Sequence, residues 1–194
     1  DIQAKIRTAL SAARAVGGGR IVFPNRPFEV AADQFSVACS NIDLHFPSQS
    51  EMRCLGRVLF DQPPTGLGYG GGYSNFTVSG SGKIVGVGAS GCLQFNLIHV
   101  SGVTCREGLQ FIECADLNHV FDLCGCSRVL IENTRFLGSK PSPAGTYQEF
   151  IQIGSAALAG DGWEGGRPPE VQAFFDSIDT TDVTVRNNTC APYQ

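Results

Sequence analysis

Five stretches of this chain share two apolar columns, and that repeat limits the possible folds more than any other feature. Writing LIHVSGVTC (97–105) above RVLIENTRF (128–136) places Ile98 on Val129, Val100 on Ile131, Val103 on Thr134 and Cys105 on Phe136. DVTVRNNTC (182–190) joins with Val183 and Val185, and its Cys190 falls in the column of Cys105 and Phe136. NFTVSG (75–80) contributes Phe76 and Val78, and NIDLHF (41–46) contributes Ile42 and Leu44. The residue before the first column is Asn41, Asn75, Leu97, Arg128 or Asp182. Three of these are Asn or Asp, which favour turns by bonding to nearby backbone.

The copies are 34, 22, 31 and 54 residues apart, and the last step is long enough for two turns of the repeat. Irregular spacing with constant columns suits a parallel β-helix. There, each coil stacks its strands about 4.8 Å from the last, and loops of any length bulge outward. An antiparallel sandwich also has many strands but does not repeat one column pattern.

Short strands are expected through most of the chain: IVFP (21–24), PFEV (27–30), FSVA (35–38), RVLF (57–60), KIVGV (83–87), LQFIEC (109–114), HVFDLC (119–124) and FIQIG (150–154), besides the repeat copies. Gly, Asn, Asp or Pro separates most of them. Only IQAKIRTALSAARAV (2–16) reads as a helix, with Ile2, Ile6, Leu10 and Ala13 on one face and Gly17, Gly18 and Gly19 as its stop. An open solenoid end is a bare sheet edge, and this helix is suited to cover it. The fold class is therefore all-β: a parallel β-helix with an N-terminal amphipathic capping helix. Residues 1–19 form the cap and Gly turn, residues 20–194 the solenoid, and a loop is inserted near 155–172. The chain opens on Asp1 and reads as a processed product or an excised fragment.

Composition narrows the function. The 194 residues include 14 Lys and Arg against 18 Asp and Glu, with no basic patch to mark a nucleic-acid footprint. No apolar run approaches the roughly 18 residues of a membrane span. The eight cysteines lie partly within apolar strands, where a free thiol acts as a small hydrophobe, so reduced, buried Cys is expected. Cys105 and Cys190 are expected inside the solenoid. His119, Cys124 and Cys126 lack the spaced pairs of a structural zinc site, and neither a metal nor a cofactor is expected. GLGYGG (66–71) precedes a strand instead of a helix, so it reads as a loop rather than a dinucleotide fingerprint.

The opening IQAKIRTALSAARAVGGGRIVFPNRPFEV (2–30) resembles the start of the pectate-lyase-like superfamily of right-handed β-helices. NHVFDLCGCSRVLIENTRFLGS with EFIQIG (118–139 and 149–154) resembles coils of phage tailspike and bacterial surface β-helix proteins. The resemblance, and it alone, implies a right-handed parallel β-helix. It also implies binding, and in many relatives cleavage, of polysaccharide. It points to a tailspike or tail-fibre module that recognises host surface glycan, located in the virion or outside the cell and assembled as a homotrimer. The alternatives are a secreted pectinase-like hydrolase or lyase and a purely structural solenoid. The tandem Asp-Asp and the Arg-x-Lys of the polygalacturonase branch are missing from this chain, which weighs against the pectinase alternative.

Candidate site residues follow from aligning HVFDLC (119–124) with EFIQIG (149–154). Phe121 and Leu123 then point inward beside Ile151 and Ile153, while Asp122 and Gln152 face outward as neighbours. His119 falls beside Glu149. Asp122, Glu149 and Asp116 are the carboxylates able to form a catalytic pair. His119, Gln152, Trp163 and Arg167 are the expected ligand contacts, the last two from the loop GDGWEGGRPP (160–169).

Overall fold

The computed structural model describes residues 1–69, 71–115, 119–139, 150–155 and 177–191. Among the described residues a single helix, α1 (Ile2–Ala15), is followed by strands that wind three to a coil. The first coil holds β1 (Gly19–Val22), β2 (Pro27–Val30) and β3 (Asp33–Ser36). The second holds β4 (Ile42–Phe46), β5 (Glu51–Cys54) and β6 (Arg57–Gln62). The third holds β7 (Ser74–Gly80), β8 (Lys83–Gly86) and β9 (Cys92–Ile98). The fourth holds β10 (Ser101–Cys105), β11 (Gln110–Ala115) and β12 (Phe121–Cys124). The fifth holds β13 (Ser127–Glu132), β14 (Arg135–Ser139) and β15 (Ile151–Gly154), and β16 (Thr181–Arg186) and β17 (Thr189–Ala191) begin the next.

Equivalent strands of successive coils pair in parallel and build three sheets, a parallel β-solenoid. The first sheet runs β1-β4-β7-β10-β13-β16, the second β2-β5-β8-β11-β14-β17 and the third β3-β6-β9-β12-β15. Side chains alternate across each strand, so every second residue points into a shared core.

Phenylalanine dominates that core. Phe35, Phe60, Phe95 and Phe121 stand in register on four successive strands of the third sheet, with ring centroids 5.2, 5.6 and 5.0 Å apart. Phe111 stacks on Phe136 at 5.3 Å in the second sheet, and Phe23 on Phe46 at 4.1 Å. Offset stacking of this kind adds to the area term, and it explains why the chain uses so many Phe residues. The helix lies against β1, β2 and β3, with Ile6, Leu10 and Ala13 buried, so it covers the first coil as its apolar stripe predicts.

One equivalent position recurs with left-handed backbone in every coil. Gly18, Asn41, Asn75, Gly102, Arg128 and Asp182 all hold positive φ, at the point where the chain enters the first sheet. Asn, Asp and Gly tolerate this region best, and Arg128 does so against its preference. At Gly18 a side chain is also excluded by contact, since a Cβ would lie 2.6 Å from the Ser40 carbonyl oxygen.

Four expectations need correction. The stretch 97–105 spans a corner: Val103 pairs with Val129 and Cys105 with Ile131, so the inward ladder is Leu44, Val78, Cys105, Ile131 and Val185, without Val100. Val100 misleads because it also points inward, fully buried, from the two-residue corner. Second, 128–136 and 182–190 are each two strands, bent at Asn133 and Asn187, which hold φ of 52° and 55°. Third, β13 pairs directly with β16, so the long last step is one coil carrying a long insertion rather than two turns. Fourth, Cys105 belongs to the first sheet, so only Cys190 shares the column of Phe136. None of the eight cysteines forms a disulfide; seven are buried, and Cys190 is exposed on the last strand of its sheet.

The corners differ in length. Between the first and second sheets the connections have two or four residues. Between the third and first sheets, tight corners at 99–100 and 125–126 lie between two connections that are long in sequence, from β6 to β7 and from β15 to β16. Described parts of the two meet, because the Tyr69 hydroxyl donates to the Asp179 carbonyl at 2.9 Å.

Candidate functional site

The outer face of the third sheet carries a polar ladder. Ser36, Asp61, Asn96, Asp122 and Gln152 occupy matching positions on β3, β6, β9, β12 and β15. Each follows an inward residue: Phe35, Phe60, Phe95, Phe121 or Ile151. Asp122 and Gln152 are neighbours in register, as the strand alignment predicts.

The middle of this ladder is not open. Every residue of β9 is buried, Asn96 is fully enclosed, and Asp122 is only 3% exposed. The expectation of Asp122 in an open groove is corrected here: it points away from the core, yet solvent does not reach it. Gln94 accepts from Arg57 Nη2 at 2.7 Å and donates through Nε2 to Asp122 Oδ2 at 3.3 Å. The Cys124 thiol donates to Asp122 Oδ1 at 3.4 Å. Asn96 Nδ2 donates to Asp61 Oδ1, and Gln34 Nε2 donates to Asp61 Oδ2 at 3.4 Å. Asn96 Oδ1 is a buried acceptor with no donor in reach. The two ends, Asp61 and Gln152, are half-buried and meet solvent.

The connection from β6 to β7 packs on the corner that follows β9. His99, at a tight corner, bonds through Nδ1 to the Gly66 carbonyl at 3.0 Å. Gly72 packs so closely on this corner that a Cβ would lie 2.7 Å from the His99 carbonyl oxygen. His99 is therefore an enclosed corner residue. His119 is half-buried just ahead of β12. Asp116, Glu149, Trp163 and Arg167 lie outside the described residues.

Asp61 and Asn96 were missed in the sequence, although a signal for them exists. LFDQ (59–62), QFNL (94–97), VFDL (120–123) and FIQI (150–153) share an apolar residue followed by Asp, Asn or Gln. Aligning all four segments, rather than the last two, exposes the ladder.

A second polar cluster lies on the first sheet. Arg20 Nε donates to Asp43 Oδ2 at 2.7 Å, Ser79 Oγ donates to Asp43 Oδ1 at 2.7 Å, and His45 Nδ1 lies 2.9 Å from Ser79 Oγ. The single hydroxyl proton of Ser79 goes to the carboxylate, so His45 Nδ1 must carry a proton and donate. Histidine therefore cannot act as the base for Ser79, which is also fully buried. This cluster ties three strands, β1, β4 and β7, and is no nucleophile.

Among the described residues no group of three or more His, Cys, Asp or Glu side chains is placed to hold a metal ion. No helix among them is long and apolar enough to cross a membrane. Comparison with protein families, curated proteins and solved structures returned no match.

Proposed function

We propose that the outer face of the third sheet binds polysaccharide. In this reading the solenoid is a surface-glycan recognition module of the tailspike type, with the right-handed coil of the pectate-lyase-like superfamily, located on a virion or outside the cell. The observation that carries it is the ladder from Asp61 to Gln152. Acid and amide groups recur there at one-strand spacing, about 4.8 Å, on a sheet too stiff to lose much entropy on binding. Sugar hydroxyls need such alternating acceptors and donors. The half-buried ends, Asp61 and Gln152, make the contacts in this reading, and buried Asn96, Gln94 and Asp122 hold them in place.

Cleavage is the second reading, and one spacing favours it. Asp61 and Asp122 stand two strands apart, about 9.6 Å in a parallel ladder. Inverting glycosidases hold their carboxyl groups roughly 6.5–9.5 Å apart. Binding ranks first because a carboxyl that is 3% exposed does not reach a glycosidic oxygen in this state.

A glycan array run with an oligomeric-state measurement tests the proposal. The expected result is a trimer that retains a defined class of surface glycan. A monomer that retains none would sink the reading and leave the structural solenoid. Release of reducing ends from a retained glycan would move cleavage to first place.

A further inference from the structure

The ladder continues to the capped end of the solenoid, where a separate cleft opens. It lies between α1 and β3 and encloses about 250 Å³. Its walls include Arg7, Ser11 and Arg14 from the helix and Gln34, Phe35 and Ser36 from the strand. Ser36 is the first rung of the polar ladder, and Gln34 donates to Asp61 on the next strand. The cleft and the candidate glycan face are therefore one continuous surface.

The two arginines differ. Arg7 Nη1 donates to Asp33 Oδ2 at 2.7 Å, and its Nη2 donates to the other carboxylate oxygen. That fork holds the Asp33 carboxyl below the ordinary carboxylate range. The Arg7 guanidinium also lies over the Phe35 ring, 5.1 Å from its centroid. Arg7 is thus committed to a carboxylate and a ring, and it acts as a wall. Arg14 is exposed, and among the described residues its one side-chain hydrogen-bond partner is the neutral hydroxyl of Ser36, at 3.5 Å. A guanidinium has five N–H donors in a planar fork that matches a carboxylate. Arg14 offers most of that fork to the cleft.

We propose that this cleft is a subsite for one carboxylate-bearing sugar residue, a uronate. Arg14 takes the carboxylate in a bidentate pair, and Ser11, Ser36 and Gln34 bond the ring hydroxyls. The inference rests on the glycan-binding reading above and sharpens it. Half-buried Asp61 lies farther along the same surface, where a second carboxylate is repelled at short range. The favoured ligand therefore places an isolated uronate at the capped end and neutral residues over the ladder. A polymer made only of uronates is disfavoured.

The test is an NMR titration of the intact chain with D-glucuronate, D-glucose and acetate. Glucuronate is expected to shift the Arg14 side-chain and Ser36 amide signals and to bind at least tenfold tighter than glucose or acetate. Arg14→Gln should weaken glucuronate at least tenfold, with Arg14→Lys in between because it keeps the charge but loses the fork. Equal binding of glucose, or unchanged affinity in Arg14→Gln, overturns the proposal. Acetate binding as tightly as glucuronate reduces the cleft to a bare carboxylate site and also overturns it. Polygalacturonate retained more tightly than a mixed neutral and acidic glycan does the same. The two proposals fail separately: a blank glycan array with glucuronate at Arg14 removes the glycan face alone. An array ligand held equally by Arg14→Gln and unaltered protein removes the uronate subsite alone.

Discussion

Asn75 donates from Nδ2 to Asn41 Oδ1 at 2.7 Å across adjacent coils, and both residues hold left-handed backbone, with φ of 58° and 57°. The contact therefore joins two functions, since the residue that lets the chain turn also ties its coil to the one before.

Replacing Asn75 with Ala is expected to cost about 1–2 kcal/mol, from left-handed strain plus a lost hydrogen bond. Asn75→Gly should cost less, because it removes the bond and not the permissive backbone. Urea denaturation of both variants separates the two contributions. Equal losses in both would show that backbone strain plays no part.

The phenylalanine column gives a larger effect. Phe95 is fully buried, with rings from Phe60, Phe121, Phe76 and Phe111 around it. Phe95→Ala should destabilise by roughly 3–5 kcal/mol. Ile131→Asp, between Cys105 and Val185, should cost a similar amount by burying an unpaired charge. Both are read as a lower denaturation midpoint.

Burial pushes the thiols of Cys105 and Cys126 up to about 12, from an ordinary value of 9.0. The folded chain then keeps protons that the unfolded chain releases. Stability from this source is full below about pH 9 and declines as pH rises toward 12. The slope is roughly 1.4 kcal/mol per thiol per pH unit. Denaturation at pH 8 and pH 10 should show the loss, and Cys105→Ala with Cys126→Ala should reduce it, leaving the share of the other buried thiols. In native protein at pH 8 a thiol reagent should react quickly with Cys190 and reach the seven buried thiols only on unfolding.

For the candidate glycan face, Asp61→Ala and Gln152→Ala should each weaken retained glycan by about 1–3 kcal/mol; Asp61→Ala should also lower stability, because it leaves the buried Asn96 amide without its acceptor. Asp122→Asn acts indirectly, through Gln94 and Cys124, and should weaken binding less than Asp61→Ala. Unchanged affinity in all three, measured by calorimetry on folded protein, would move the site elsewhere.

The fold was largely legible because parallel stacking repeats a pattern in sequence. Ile42, Phe76, Val129 and Val183 share a column, and the capping helix shows its stripe at Ile6, Leu10 and Ala13. Register failed at 97–105, where an apolar corner residue continues the alternation through a bend. Alternation gave the direction of Asp122 correctly but not its burial, because burial depends on the cover a strand receives from parts of the chain far away in sequence. No local pattern reports that cover. The Arg14 cleft was equally hidden, since it arises only when the helix folds back on Gln34 and Ser36.

The recurring left-handed corner makes the coil an exchangeable unit. Ser101 and Ser127 occupy the same place in successive turns, as do Cys105 and Ile131. Excising residues 101–126 would splice Val100 to Ser127 and set Ile131 on Val78 with no slip in register. The shortened chain loses one inter-coil interface, and with it Asp122, bringing Gln152 beside Asn96. Such a protein is a ruler with one division removed: its length changes in whole coils, and the ligand it accepts shortens with it.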